Sequence, residues 1–263
     1  IGEERFRREH ECEFLIFDET LISSLVLADM EGVAPVETTG QVRWFKRPTP
    51  GHTYMVSLDP SMGTGGDYAA IQVFELPTFE QIGEWHHNQT PMNQQVRILQ
   101  GINKHIHDTI MEKDTTATPQ IFYSMENNTI GEAALMRVMD IGEENIMGMF
   151  LSEPIRKGHR RKFRRGFNTT AKHKIDACTK FKELVENDKM KIHSQLLISE
   201  LKDFVASGMS FKAKPGQHDD LVSACLLMTR MMKVLADFDP KIFEKWTDRT
   251  SEITPMPIFG SFT

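Results

Sequence analysis

Three short segments, YMVSLD at 54–59, YAAIQVFEL at 68–76 and EQIGEWHH at 80–87, follow one another with links too short to hold a helix. Each is apolar or alternating and bounded by turn residues, the pattern of a strand. Strands joined by short links pair antiparallel, because a parallel return needs a crossover of a dozen residues or more. A three-stranded antiparallel meander is thereby set, and the rest of the chain must cover its faces. Pro91 opens a helical stretch with Val96, Leu99, Ile102, Ile106 and Ile110 spaced by three and four. QIFYSME at 120–126 reads as a fourth strand ending in an acid, 131–139 as a helix, and IMGMFL at 146–151 as a fifth strand. Further helices are expected near 171–187, 194–206 and 218–236. The sum is an α/β chain with a mixed central β-sheet flanked by helices on both faces.

A hydrophobic content of 40% over 263 residues can fill the core that such a sheet needs. No apolar run approaches the roughly 18–20 residues of a bilayer span and no signal segment opens the chain, so no membrane partner is expected. Cys12, Cys178 and Cys225 are odd in number and lack a CxxC pair, which suits reduced thiols and disfavours structural zinc. Residues 1–50, with soft GVAPVETTG and KRPTPG stretches, hold no complete domain and are expected to be a junction. The domain proper is placed at 51–236 and a C-terminal tail at 237–263. Because the chain opens on Ile1 rather than Met, it is expected to be a fragment of a longer protein.

The net charge of -6 is unevenly spread. Between Arg156 and Lys182 there are eleven Lys or Arg against one acid, Asp176, a local charge of +10 that leaves -16 for the remainder. A basic stripe on an acidic body suits a phosphate-binding groove beside a carboxylate metal site. Its densest part, KGHRRKFRRG at 157–166, contains Arg160, Arg161, Lys162, Arg164 and Arg165, and Lys172 and Lys174 follow at a helix start. Several phosphate contacts are the natural use of such a run, and a solvated loop is the plainer one.

Asp59 ends the first of the three meander strands, Glu126 ends the fourth strand, and Asp219 and Asp220 begin the last long helix. Acids at element ends can converge, as sites in open α/β sheets do. Mg²⁺ favours a few carboxylates together with water and phosphate oxygens, and two ions about 3.5–4 Å apart can cut a phosphodiester. Each acid also has a plainer use: Asp59 before Pro60 can start a turn, and Glu126 and Asp219 can cap helices. A carboxylate at the end of the apolar strand MVSLD is costly without a cation, which tilts Asp59 toward function. Asp67, closing the glycine turn PSMGTGGD, is a supporting acid or a turn residue. That turn lacks the GK[ST] ending of a nucleotide-binding loop and leads into a strand, so it binds no nucleotide. Among ten histidines only His218, beside the Asp pair, is kept as a group behind the ligands or against DNA; the others read as solvent-exposed. The sixteen methionines, Met228, Met231 and Met232 among them, read as core filler.

The element order resembles the ribonuclease H-like arrangement. The pieces GEERFRREHECEF, LDPSMGTGGDYAA, FYSMENN, NTTAKHK and GQHDDLVSACLL, spread over most of residues 2–236, resemble the nuclease domain of the large terminase subunit of tailed bacteriophages, a DNA-packaging motor family. The resemblance implies endonucleolytic cutting of concatemeric viral double-stranded DNA with Mg²⁺ or Mn²⁺, as two ions when DNA is bound. It implies Asp59, Glu126 and one of Asp219 and Asp220, with Asp220 preferred, as metal ligands. It further implies an ATPase domain in the same full-length protein, portal and small terminase subunits as partners, and the cytoplasm of an infected bacterial host. No phosphate loop or arginine finger is present, so motor activity is not expected of this chain. Two other readings use the same residues: a Holliday-junction resolvase or transposase-like nuclease, and a non-catalytic DNA-clamping and portal-docking module.

Overall fold

The structure is a computed structural model, and it describes residues 19–154 and 165–238. Seven strands form one mixed sheet: β1 (Glu37–Thr39), β2 (Val42–Trp44), β3 (Thr53–Asp59), β4 (Ala69–Leu76), β5 (Glu80–His87), β6 (Gln120–Met125) and β7 (Met149–Phe150). Their spatial order is β1-β2-β5-β4-β3-β6-β7. The β3-β4-β5 meander is antiparallel, as the short links require, whereas β6 joins β3 and β7 joins β6 in parallel. Each of those parallel joins is reached through a helical crossover, α2 (Met92–Lys113) before β6 and α3 (Thr129–Ile141) before β7. α1 (Ser24–Asp29), α4 (Ala171–Glu186), α5 (Gln195–Asp203), a hairpin of β8 (Phe204–Ser207) and β9 (Ser210–Ala213), and α6 (Asp220–Phe238) complete the described chain.

The strand period of two sorts β3 between two cores. Tyr54, Val56 and Leu58 pack with Val96, Leu99 and Ile102 of α2 and with Leu135 and Val138 of α3. Met55 faces the opposite side, with Phe181 of α4 and Cys225, Met228 and Met231 of α6. Fully burying side chains of this size contributes about 1.5–3 kcal/mol each, so a one-residue slip of β3 is strongly disfavoured. Ser57 shares the α6 face, and its buried hydroxyl donates to the Ala224 carbonyl at 2.8 Å. Cys178 and Cys225 are buried free thiols, and Met228, Met231 and Met232 lie in the core.

Two expectations need correction. Residues 37–44, inside the stretch read as a junction, form β1 and β2 of the main sheet, since Val42 and Trp44 are buried and Arg43 pairs with Glu84 of β5. The helix expected to 206 stops at Asp203, and residues 204–213 turn through Gly208 at φ +61° into the β8–β9 hairpin. Among the described residues, no helix is long and apolar enough to cross a membrane.

Candidate active site

Adjacent parallel strands bring the first two acids together. Leu58 of β3 lies opposite Met125 of β6, and the Glu126 amide donates to the Leu58 carbonyl at 3.1 Å. Asp59 and Glu126, one residue further on, therefore leave the same edge of the sheet side by side. The third arm is α6, packed across β3 and β4, with Asp220 as its first residue and Asp219 immediately before. The Asp59 carboxyl is held well above the usual carboxylate range, first by burial, then by the Glu126 charge and a hydrogen bond with that side chain, and then by Asp220 and Asp219. Asp220 is pushed up to about 6 by burial and by Asp219, while His218 and the Tyr68 amide pull it back. The four carboxylates thus feel one another's charge, with Asp59 and Glu126 in direct contact. Oxygen donors of this kind suit a hard divalent cation such as Mg²⁺ or Mn²⁺, although among the described residues the group with ligand atoms all within 4.8 Å of one another is His86, Glu200 and Asp220.

The glycine turn after Asp59 is built by contact with its neighbours. Gly63 has φ +68°, and a Cβ there would lie 2.2 Å from the Thr90 carbonyl oxygen, so glycine is required. Gln95 of α2, fully buried, donates to the Ser61 and Thr90 carbonyls at 2.9 and 2.7 Å and accepts from the Ser61 amide at 3.2 Å. Asp67 is exposed at the end of this turn, near enough to Asp220 to raise its pKa. His218 is exposed with Nδ1 3.6 Å from Asp220 Oδ2.

Among the basic residues, Thr170 caps α4 by accepting from the His173 amide at 3.2 Å, which sets Lys172 and Lys174 in the first turn. Lys172 is exposed, and Lys174 Nζ is 3.7 Å from Asp219 Oδ2. Arg165 pairs with Glu143 and lies over the Phe150 ring at 6.0 Å. Arg160, Arg161, Lys162 and Arg164 lie outside the described residues, as do GEERFRREHECEF and the tail from 239 onward. A groove runs from Glu126 past Thr169 and Lys174 to Arg230, which also binds Glu153 and the Thr169 hydroxyl.

Sequence reasoning passed over two groups beside Asp220. His86 near the end of β5 was expected to be solvent-exposed; instead its Nε2 is shielded from solvent, and its ring stacks on Tyr68 at 4.1 Å. Burial, aided by Arg43, His218 and His87, pushes His86 down to about 4. Glu200 of α5 is buried and raised to about 8 by that burial, with Asp220 and Asp219 adding to the rise and the Val222 and Leu221 amides opposing it. Only the periodicity of α5 is readable in sequence, and Glu200 sits on its buried side without a motif to mark it. His105 and His107 hold no common ligand position: His105 lies against the Trp44 ring at 4.5 Å and His107 beside Asp108 at 3.2 Å.

An open mixed sheet in the order β5-β4-β3-β6-β7, with carboxylates gathered where β3, β6 and α6 meet, defines a ribonuclease H-like α/β protein with an acidic centre. The family model for the terminase RNaseH-like domain matches residues 56–231, and the chain belongs to that family. Its fold is similar to that of the large terminase nuclease from thermophilic phage G20c, with a TM-score of 0.58 and 17% identity over 80% of this chain and 96% of that one. The same phage protein with bound magnesium aligns with a TM-score of 0.59 and 17% identity, covering 81% of this chain and 97% of that one. The large terminase nuclease domain of Thermus phage P74-26 follows with a TM-score of 0.54 and 16% identity over 77% and 92% of the two chains.

Proposed function

We propose that this chain is the nuclease unit of a viral DNA-packaging terminase, an endodeoxyribonuclease that cuts concatemeric double-stranded DNA with two divalent ions, Mg²⁺ or Mn²⁺. The observation that supports the reading is the Asp59 carboxyl, which burial, a hydrogen bond and charge from Glu126, and the charges of Asp220 and Asp219 together hold well above its ordinary pKa. Membership of the terminase RNaseH-like family supports it. Asp59, Glu126 and Asp220 would hold the ions, with Asp67 and Asp219 supporting. When bound, the ions supply Lewis-acid polarisation of the phosphodiester and lower the pKa of a water. The protein's own residues fix the geometry. Lys174 and Arg230 line the groove that leads away from Glu126, where they would meet backbone phosphates together with Lys172 and the Arg160–Arg165 run. His218 stands behind Asp220. In this reading the chain works with an ATPase domain of the same protein and with portal and small subunits, in the cytoplasm of an infected bacterium.

The test is plasmid cleavage with Mg²⁺, with Mn²⁺ and with chelator. Asp59→Asn, Glu126→Gln and Asp220→Asn proteins, each checked for folding, should lose at least about a hundredfold in rate, as removal of charge-stabilising groups does. Cleavage that survives Asp59→Asn overturns the assignment, and a strong preference for four-way junctions over linear or plasmid DNA would move the chain to the resolvases.

A further inference from the structure

The acidic centre has a flank of which the proposed cutting reaction uses only Asp220. His86, Glu200 and Asp220 come from β5, α5 and the start of α6, and one ligating atom from each lies within 4.8 Å of the others. The set is mixed, one imidazole nitrogen with two carboxylates. His86 Nε2 is shielded from solvent, has no hydrogen-bond partner and lies 3.7 Å from Glu200 Oε1, too far for a hydrogen bond. Glu200 spends its other oxygen, Oε2, on the Val222 amide at 3.1 Å, which leaves Oε1 turned toward His86. Two ligand atoms 3.7 Å apart, each about 2.1 Å from one ion, subtend an angle of about 120° at it, within ordinary coordination geometry. Tyr68, stacked on the imidazole with 16° between the ring planes, fixes the direction in which Nε2 points.

We infer that His86, Glu200 and Asp220 form a second cation position beside the Asp59–Glu126 pair, suited to a borderline transition ion such as Co²⁺ or Zn²⁺. The nitrogen donor sets the choice of metal, because Mg²⁺ takes oxygen ligands and imidazole suits transition ions. The ion would tie β5, α5 and α6 together at the N-terminus of α6, the segment on which Asp219 and Asp220 ride, so its role is to position that arm. The inference shares Asp220 with the proposed nuclease centre but does not depend on cleavage.

Co²⁺ is the probe, read by its visible absorption and by calorimetric titration on the full chain carrying Asp59→Asn and Glu126→Gln, which removes the neighbouring pair. That protein should still bind one Co²⁺. Adding His86→Phe, which keeps a ring against Tyr68, or Glu200→Gln, which keeps an acceptor for Val222, should weaken binding by more than about tenfold. Anomalous diffraction from crystals of the unaltered protein soaked in Co²⁺ should place a peak between His86 Nε2 and Glu200 Oε1. No Co²⁺ on the doubly substituted protein, affinity indifferent to both added changes, or no peak between those atoms overturns the site. Cleavage that survives Asp59→Asn would remove the nuclease reading while leaving the Co²⁺ result to stand alone.

Discussion

Gln95 shows how much one side chain can settle around the acids. Its amide makes three buried hydrogen bonds to the backbone of residues 61 and 90, and so holds the glycine turn that follows Asp59. Gln95→Met keeps the volume but strands those groups; chemical denaturation should show a loss of about 2 kcal/mol or more. Glu200 makes a different prediction, for the metal-free protein. Its folded pKa, about 8, is raised from 4.5, so its stabilising share is complete below 4.5 and is lost as pH climbs through about 8. Melting temperature should therefore fall across that window, and Glu200→Gln, which keeps an acceptor for the Val222 amide, should flatten the fall by several degrees. A Glu200→Gln profile as steep as that of the unaltered protein would refute this. Asp59, Glu126, Asp219 and Asp220 were readable as candidates because a charge ending an apolar strand, or doubled before a helix, stands out in sequence. Gln95, His86 and Glu200 were not, because each fits the ordinary pattern of its own element and gains meaning only from what packing sets against it.

Among the elements, α3 carries the sharpest constraint. A Cβ on Gly131 would lie 1.9 Å from the Glu126 carbonyl oxygen, so the helix touches the end of β6 through a missing side chain. Alanine normally favours a helix over glycine by about 1 kcal/mol, but overpacking of this kind costs about 1–3 kcal/mol, and the clash wins. Gly131→Ala should lower the melting temperature and, by shifting Glu126, weaken Mn²⁺ binding in the same protein; an unchanged Mn²⁺ titration would show that β6 absorbs the clash. The central elements were legible because β3 to β6, α2 and α6 are long and strongly periodic. The β8–β9 hairpin was not, because Leu201, Phe204 and Val205 continue the helical spacing of α5 and only Gly208 marks the turn. β1 and β2 hold three residues each, too few to show a period, and are strands because Trp44 and Val42 have a sheet to lie on.

At the scale of the whole molecule, the mutual repulsion that raises Asp59 and Asp220 opposes folding at neutral pH, and a cation bound among them would offset it. A ligand that binds only the folded state at about a hundred times its dissociation constant adds about 2.7 kcal/mol, worth roughly 5–10 °C in a domain of this size. Saturating Mg²⁺ or Mn²⁺ should therefore raise the melting temperature at neutral pH, and Asp59→Asn should remove most of that rise; equal shifts in both proteins would locate the stabilising ion elsewhere. The three arms of the centre also share a single support. Ser57 is bonded to α6 through the Ala224 carbonyl, Leu58 to the start of Glu126, and Asp59 is itself the first acid, three consecutive residues of β3. β3 is thus a common datum from which every carboxylate is measured. Displacing β3 therefore displaces the start of Glu126 and α6 with it, so the gauge between the acids is cut into one strand rather than negotiated among three independent elements.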